Sequence, residues 1–149
     1  MAEQLVGKYN HNIDAKGRLI IPAKLRDALG SRFILFRGPE KCIYGYSKEE
    51  WNRIGSELME LDSTDEEIRQ LQRAFNFSGT EVEVDTQGRI VVSAELRDYA
   101  GITKEVVIGG NGNKIEIWDK AEFDKANSPE INVADLLSHL GSKGVKLRF

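Results

Sequence analysis

The sequence predicts a mixed α+β fold in which two copies of one strand–turn–strand–helix unit share a single core. Three observations carry this reading. The stretch Asp14–Gly30 recurs seventy-one residues later as Asp85–Gly101, with eight of seventeen positions identical: Asp14/Asp85, Gly17/Gly88, Arg18/Arg89, Ala23/Ala94, Leu25/Leu96, Arg26/Arg97, Asp27/Asp98 and Gly30/Gly101. Self-similarity at a fixed offset marks a duplicated structural unit. Within each copy, short β-branched runs alternate with segments of helical spacing. The 149 residues are one domain's worth of chain, and a lone unit of about fifty residues buries too little surface to stand comfortably alone.

In chain order, Leu5–Asn12 leads in as a strand, with Tyr9 and His11 alternating against Lys8 and Asn10. Asp14-Ala15-Lys16-Gly17 is a tight turn, because Asp suits turn entry and Gly tolerates positive φ. Leu19-Ile20-Ile21 reads as a buried strand. Pro22 suits the first position of a helix and Gly30 the position just past its end, so Pro22–Leu29 is a short helix with Leu25, Ala28 and Leu29 inward. Phe33–Phe36 and Cys42–Tyr46 are the next strands, joined through Arg37–Lys41. Ser47-x-x-Glu50 is a capping box, opening a helix with Trp51, Ile54, Leu58 and Leu61 on one face. Asp62–Asp65 breaks it, and Ser63-x-x-Glu66 opens a second helix with the stripe Ile68, Leu71, Phe75, ended at Ser78-Gly79.

The second copy repeats the programme. Glu81–Val84 is a strand, Thr86-Gln87-Gly88 the turn, Ile90–Val92 a strand and Ser93–Ala100 a helix. Glu105–Ile108 and Lys114–Trp118 form a hairpin around Asn111-Gly112, a strong hairpin signal. Asp119-x-x-Glu122 caps the next helix and matches Ser47-x-x-Glu50 at an offset of 72, as Tyr46/Trp118 and Trp51/Phe123 do. The division is therefore 5–52 for the first copy, 53–80 for a helical connector, 81–124 for the second copy and 125–149 for a C-terminal helix and tail. After Pro129 the helix spans Val133–Leu140.

Composition, at 40% hydrophobic and 30% charged, is that of a globular chain rather than a disordered one. The single cysteine excludes an internal disulfide. Cys42 lies in the apolar run Cys42-Ile43-Tyr44 and reads as a packing residue, not a nucleophile. With no signal-like run and no apolar segment near the ~20 residues of a membrane span, a cytoplasmic location is expected.

The net charge of −3 is unevenly spread. Residues 1–46 carry eight Lys/Arg against four Asp/Glu, residues 47–80 carry four against eight, and residues 81–149 carry nine against twelve. Positive charge thus collects around the first copy. Its Asp14-x-x-x-Arg18 turn, with Lys16 at the tip and Lys8, His11 and Asn12 on the strand before it, is the leading candidate for chemistry. A guanidinium can give two parallel N–H groups to a phosphate or a guanine edge. The same spacing also suits a cross-turn ion pair that merely steadies the turn, worth ~0–1 kcal/mol when exposed. In the second copy, Asp85 and Arg89 repeat the motif, but Gln87 replaces Lys16, and Glu81 and Glu83 precede it. Arg26/Arg97 and Asp27/Asp98 read as a solvated helix face, as do Arg69 and Arg73, pairing with Asp65 and Glu66.

Enzyme signals are weak. His11, His139 and Cys42 have no metal-ligand spacing, no nucleophile-elbow or phosphate-loop motif occurs, and Gly109–Gly112 is a hairpin turn. An aspartate pair sharing a proton is disfavoured, because each Asp is followed by an Arg that holds it ionised. No catalytic residue, metal or cofactor is expected.

The run Asp14-Ala15-Lys16-Gly17-Arg18-Leu19-Ile20-Ile21-Pro22, repeated as Asp85–Val92, resembles the tandem motifs of the MraZ family in the SpoVT-AbrB superfamily. Ala100–Gly109, Lys114–Trp118 and Arg69-x-x-x-Arg73-x-Phe75 are similar to it as well, and the resemblance covers residues 1 to about 125. It implies one pseudo-twofold β-barrel flanked by short helices. It also implies a transcriptional regulator that assembles into a ring-shaped homo-oligomer and binds repeated short boxes in double-stranded DNA upstream of its own division and cell-wall operon. Arg18 would be the DNA contact, and the protein would be nucleoid-associated. The alternative is an antitoxin-like or ring-scaffold module that docks a protein partner without DNA, for which the acidic inserted helices would serve.

Overall fold

A computed structural model describes residues 4–127 and 132–147. The first copy comprises β1 (Lys8–Asn12), β2 (Arg18–Ile20), α1 (Ala23–Leu29), β3 (Arg32–Arg37) and β4 (Ile43–Ser47). The helical pair α2 (Lys48–Met59) and α3 (Glu66–Ser78) follows. The second copy comprises β5 (Thr80–Glu83), β6 (Arg89–Val91), α4 (Ala94–Ala100), β7 (Glu105–Gly110) and β8 (Ile115–Asp119), followed by α5 (Lys120–Ala126) and α6 (Val133–Ser142). Pro129 lies outside the described residues.

Strand pairing crosses between the copies. β1 pairs with β7 and β5 with β3, so each copy lends its first strand to the other. β4 pairs with β8 and β2 with β6, like with like across a pseudo-twofold. All these pairings are antiparallel. They give a six-stranded sheet in the order β1-β7-β8-β4-β3-β5 and a separate two-stranded ribbon, β2-β6. Among the described residues no ladder closes β1 onto β5.

One core joins both copies. Leu19 and Ile90 face each other at the centre of the ribbon, and both are fully buried. They pack with Ile21, Val92, Phe33, Leu35, Ile43, Ile108, Ile115 and Ile117 in a single cluster. Neither copy could bury its ribbon strand alone, which is the physical reason for the duplication. Cys42 is buried in a satellite cluster with Val107 and Trp118.

Several expectations are corrected. The Leu19-Ile20-Ile21 run is two-faced rather than buried throughout: Ile20 is 44% exposed, and its counterpart Val91 is 57% exposed. Pro22 stands before α1 as its cap, with ψ 140, because the chain must still turn from the strand. Ala28 points outward. α3 is capped by Asp65, whose Oδ1 accepts the Glu67 N–H at 2.8 Å, and not by Ser63. Its buried stripe holds Gln72 in place of Leu71, which is 52% exposed. Gln72 Nε2 donates to the Leu58 carbonyl at 3.1 Å, satisfying the end of α2. Arg69 likewise donates to the carbonyls of Ser63 and Thr64, at 2.9 and 3.0 Å, rather than joining an ion-pair stripe. The capping box at Ser47 is present, with Ser47 Oγ accepting the Glu50 N–H at 3.1 Å, and Trp51 stacks on Phe75 with centroids 3.7 Å apart.

Two outcomes are expected. Leu19→Ala removes packing from both copies at once and costs ~2–5 kcal/mol, read as a lower urea midpoint with an unchanged slope. Burial pushes the Cys42 thiol up to about 12, so a thiol reagent at neutral pH labels the protein only after denaturant is added.

Candidate nucleic-acid interface

Each copy builds its turn around one aspartate. Asp14 Oδ1 accepts the N–H groups of Lys16 and Arg18 at 3.0 and 2.8 Å, and Oδ2 accepts from Arg18 Nε at 2.5 Å. The Gly17 N–H donates to the Asp14 carbonyl at 3.0 Å, and the Asp14 N–H to the Arg18 carbonyl at 3.1 Å. Asp85 repeats this with Gln87 N, Arg89 N and Arg89 Nε, all at 2.9 Å. A short acceptor side chain at turn entry can hold several backbone donors, which is why Asp stands there in both copies.

The two turns also hold each other. The Gly17 carbonyl accepts from Val92 N at 2.8 Å, and the Gly88 carbonyl accepts from Ile21 N at 2.9 Å. Gly17 and Gly88 have φ of 82° and 79°. A Cβ at position 17 would lie 2.4 Å from the Val92 carbonyl oxygen, and one at position 88 would lie 2.8 Å from Arg26 Nη1. Glycine is therefore favoured by conformation in both turns, and at position 17 it is required by space as well, because the atom a Cβ would meet is backbone.

Arg26 and Arg97, expected on a solvated face, are half-buried against the opposite copy's turn. Arg97 Nε donates to the Val92 carbonyl at 3.1 Å. Arg26 Nε is buried without a partner among the described residues. Asp27 and Asp98 are exposed. The sequence signal for the brace was identity of both arginines across the copies.

The remaining candidates distribute as follows. Lys16 is exposed at the first turn, and Gln87 takes its place in the second. Arg18 is half-exposed, with Nε committed to Asp14, so its Nη edge is the part free to meet a ligand. Asn12 is exposed and His11 half-buried, opposite Glu105 and Val106 on β7. Lys8 stands at the far end of β1, up to roughly 20 Å of extended chain from Asp14, with Nζ 5.4 Å from the centre of the Phe123 ring. The structure thus brings Asp14, Lys16 and Arg18 together and sets Lys8 apart from them.

The ribbon adds a face that the sequence reading assigned to the core. Alternation turns Leu19 and Ile90 inward and leaves Arg18, Ile20, Arg89 and Val91 outward. Arg18 sits opposite Val91, and Ile20 opposite Arg89. Among the described residues no helix is long and apolar enough to cross a membrane.

The fold and site define a class of tandem-repeat protein in which two aspartate-anchored arginine turns flank a shared two-stranded ribbon. The family model described as "MraZ protein, putative antitoxin-like" matches residues 5–74 and 77–136, further than the resemblance reached. The transcriptional regulator MraZ of Acetivibrio thermocellus is 42% identical over 139 residues, covering 91% of this chain and 97% of its own. Those of Thermoanaerobacter sp. strain X514 and Alkaliphilus oremlandii are 41% and 40% identical, each again covering 91% of this chain, with 96% and 98% of their own lengths matched. The chain belongs to the MraZ family. Its relatives carry the name of a regulator and not of an enzyme.

The backbone N–H of Arg18, joined by its guanidinium, holds the Asp14 carboxyl below its ordinary value of 3.8, and Arg89 does the same for Asp85. Groups with depressed native values stabilise the fold above the unfolded value, and that contribution disappears as pH falls through the native one. Acid titration of the double variant Asp14→Asn, Asp85→Asn is expected to show a shallower loss of stability below about pH 4 than wild type, starting from a lower stability at neutral pH.

Proposed function

We propose that this chain is a sequence-specific, double-stranded DNA-binding regulator of transcription, without catalytic activity, that presents Arg18 and Lys16 to DNA. The observation that carries the reading is the Arg18 guanidinium. One of its nitrogens is pinned by Asp14 on a turn that is itself locked to the other copy, so the Nη edge is preorganised beside an exposed Lys16. A preorganised fork loses little entropy on meeting a phosphate or guanine edge. Asn12 and His11 flank it. Asp14 and Asp85 orient the arginines, while Arg89 and Gln87 form the weaker second face, and Lys8 contributes at most to the general field. The names of the relatives support regulation of transcription.

In this reading residues 5–52 and 81–124 are the two copies, and their sheet and ribbon are parts of one pseudo-twofold barrel. Residues 53–80 connect them, and 125–149 append a helix and tail. The net charge of −3 over the whole chain makes a single protomer a poor DNA ligand, so binding runs through a ring-shaped homo-oligomer that places several first-copy turns on repeated boxes, where linked contacts multiply affinity. The target is the promoter of its own division and cell-wall operon, and the working location is the cytoplasm, at the nucleoid.

The test is fluorescence anisotropy on a duplex taken from upstream of the coding sequence, over a salt series. Arg18→Ala is expected to weaken binding between about 5- and 150-fold, Lys16→Ala to reduce the salt slope by ~1, and Arg89→Ala to cost less than Arg18→Ala. Binding indifferent to salt and to both first-copy substitutions contradicts the reading, because phosphate contacts must release counterions. A stoichiometric protein partner retained in place of DNA would favour the antitoxin-like role.

A further inference from the structure

We propose that Ile20 and Val91 contact the 5-methyl groups of thymine, so that the outer face of the β2–β6 ribbon, and not the arginine turn alone, enters the major groove. This rests on the DNA-binding reading above and adds residues to it that neither the motif nor the family match assigns.

The ribbon is pinned from beneath by Leu19 and Ile90, both fully buried, so its outer face cannot rotate inward. On that face two large β-branched side chains stay 44% and 57% exposed. They are not scattered singly. Each stands directly across the ladder from an arginine, Ile20 from Arg89 and Val91 from Arg18, giving a two-by-two checker of apolar and cationic groups around the pseudo-twofold. Arg18 and Arg89 are each ion-paired through Nε with Asp14 and Asp85, so the two pairs carry no net charge; the patch offers the arginine Nη edges as hydrogen-bond donors, with the one excess positive charge at Lys16 on the first turn.

A partner that fits this face offers acceptors to the two guanidinium edges, negative charge near Lys16 and apolar groups between them. The major groove does so, with phosphates on both walls and thymine methyl groups on its floor. The dimensions agree. Two strands ~4.8 Å apart with their side chains fit a groove about 12 Å wide. Residues two apart on a strand are separated by ~6.7 Å, close to two base-pair rises of ~3.4 Å. Arg18 and Ile20 would thus address positions two steps apart on the floor, and Arg89 and Val91 would do the same in the opposite sense.

The test needs no change to the protein. The upstream duplex is amplified once with thymidine and once with deoxyuridine triphosphate, which keeps charge and base pairing and removes only the methyl groups. Wild type is expected to bind the uracil duplex about three- to fivefold more weakly for each methyl contacted. Ile20→Ala and Val91→Ala are expected to weaken binding to the thymine duplex by a similar factor, to leave the salt slope unchanged, and together to bind the two duplexes equally. Equal binding of both duplexes by wild type overturns this inference alone, since Arg18→Ala still reports the turn contact. Substitutions that alter the oligomeric state by sizing, while thymine sensitivity persists, overturn it in favour of an interface between copies. Binding of neither duplex overturns the DNA reading and this inference with it.

Discussion

The structure depends on an exchange of two hydrogen bonds between the turns: Val92 N to the Gly17 carbonyl at 2.8 Å and Ile21 N to the Gly88 carbonyl at 2.9 Å. At Gly17 the approach leaves no room for a Cβ, which would lie 2.4 Å from the Val92 carbonyl oxygen, and at both turns the glycine supplies a positive φ. It brings β2 and β6 side by side, and their pairing presses Leu19 and Ile90 into a core that both copies fill. The guanidinium groups of Arg26 and Arg97 then cover the glycines from the opposite copy's helix, so each turn is built by its own sequence and held by the other's. Backbone approach of this kind fixes position more tightly than side-chain contact, because it leaves no rotamer to relax. The arginines at the turn ends inherit that rigidity.

The same backbone carries two different surfaces. Lys16 and Gln87 differ by a full charge at equivalent tips. Lys41 Nζ meets Glu122 at 3.3 Å, where the twin contact is Asn113 Nδ2 to Glu50 at 3.1 Å. Tyr99 of the second copy reaches across to the first and donates to the Gly38 carbonyl at 2.5 Å, whereas Ala28, its counterpart, leaves a cleft open beside Leu25 and Leu29. The repeat supplies the symmetry a shared core requires, while exposed positions differ between the copies and give the first turn the extra positive charge of Lys16.

The local half of this architecture was legible from residues alone. The turn residues, the helix caps at Ser47, Ser93 and Asp119, and the inward Leu25 and Leu29 all depend on neighbours a few positions away. What was not legible depends on distant partners. No periodicity says that β1 will pair with β7 rather than within its own copy. A three-residue apolar run such as Leu19-Ile20-Ile21 has no period of its own, so the exposure of Ile20 had to await the ribbon. Arg26 looked solvated because the glycine it covers lies sixty-two residues away, and Gln72 looked polar because the carbonyl it satisfies belongs to another helix. In the candidate site, the Asp14–Arg18 turn was visible as a motif, while the apolar half of the ribbon face was hidden among residues that resemble core.

The most direct measurement is a structure of the chain bound to a duplex from its own upstream region. The account predicts Arg18 Nη atoms within hydrogen-bonding distance of the DNA, Nε still held by Asp14, and the outer face of the β2–β6 ribbon turned into the major groove. DNA seated against α2 and α3, with the Arg18 turn in solvent, would contradict it.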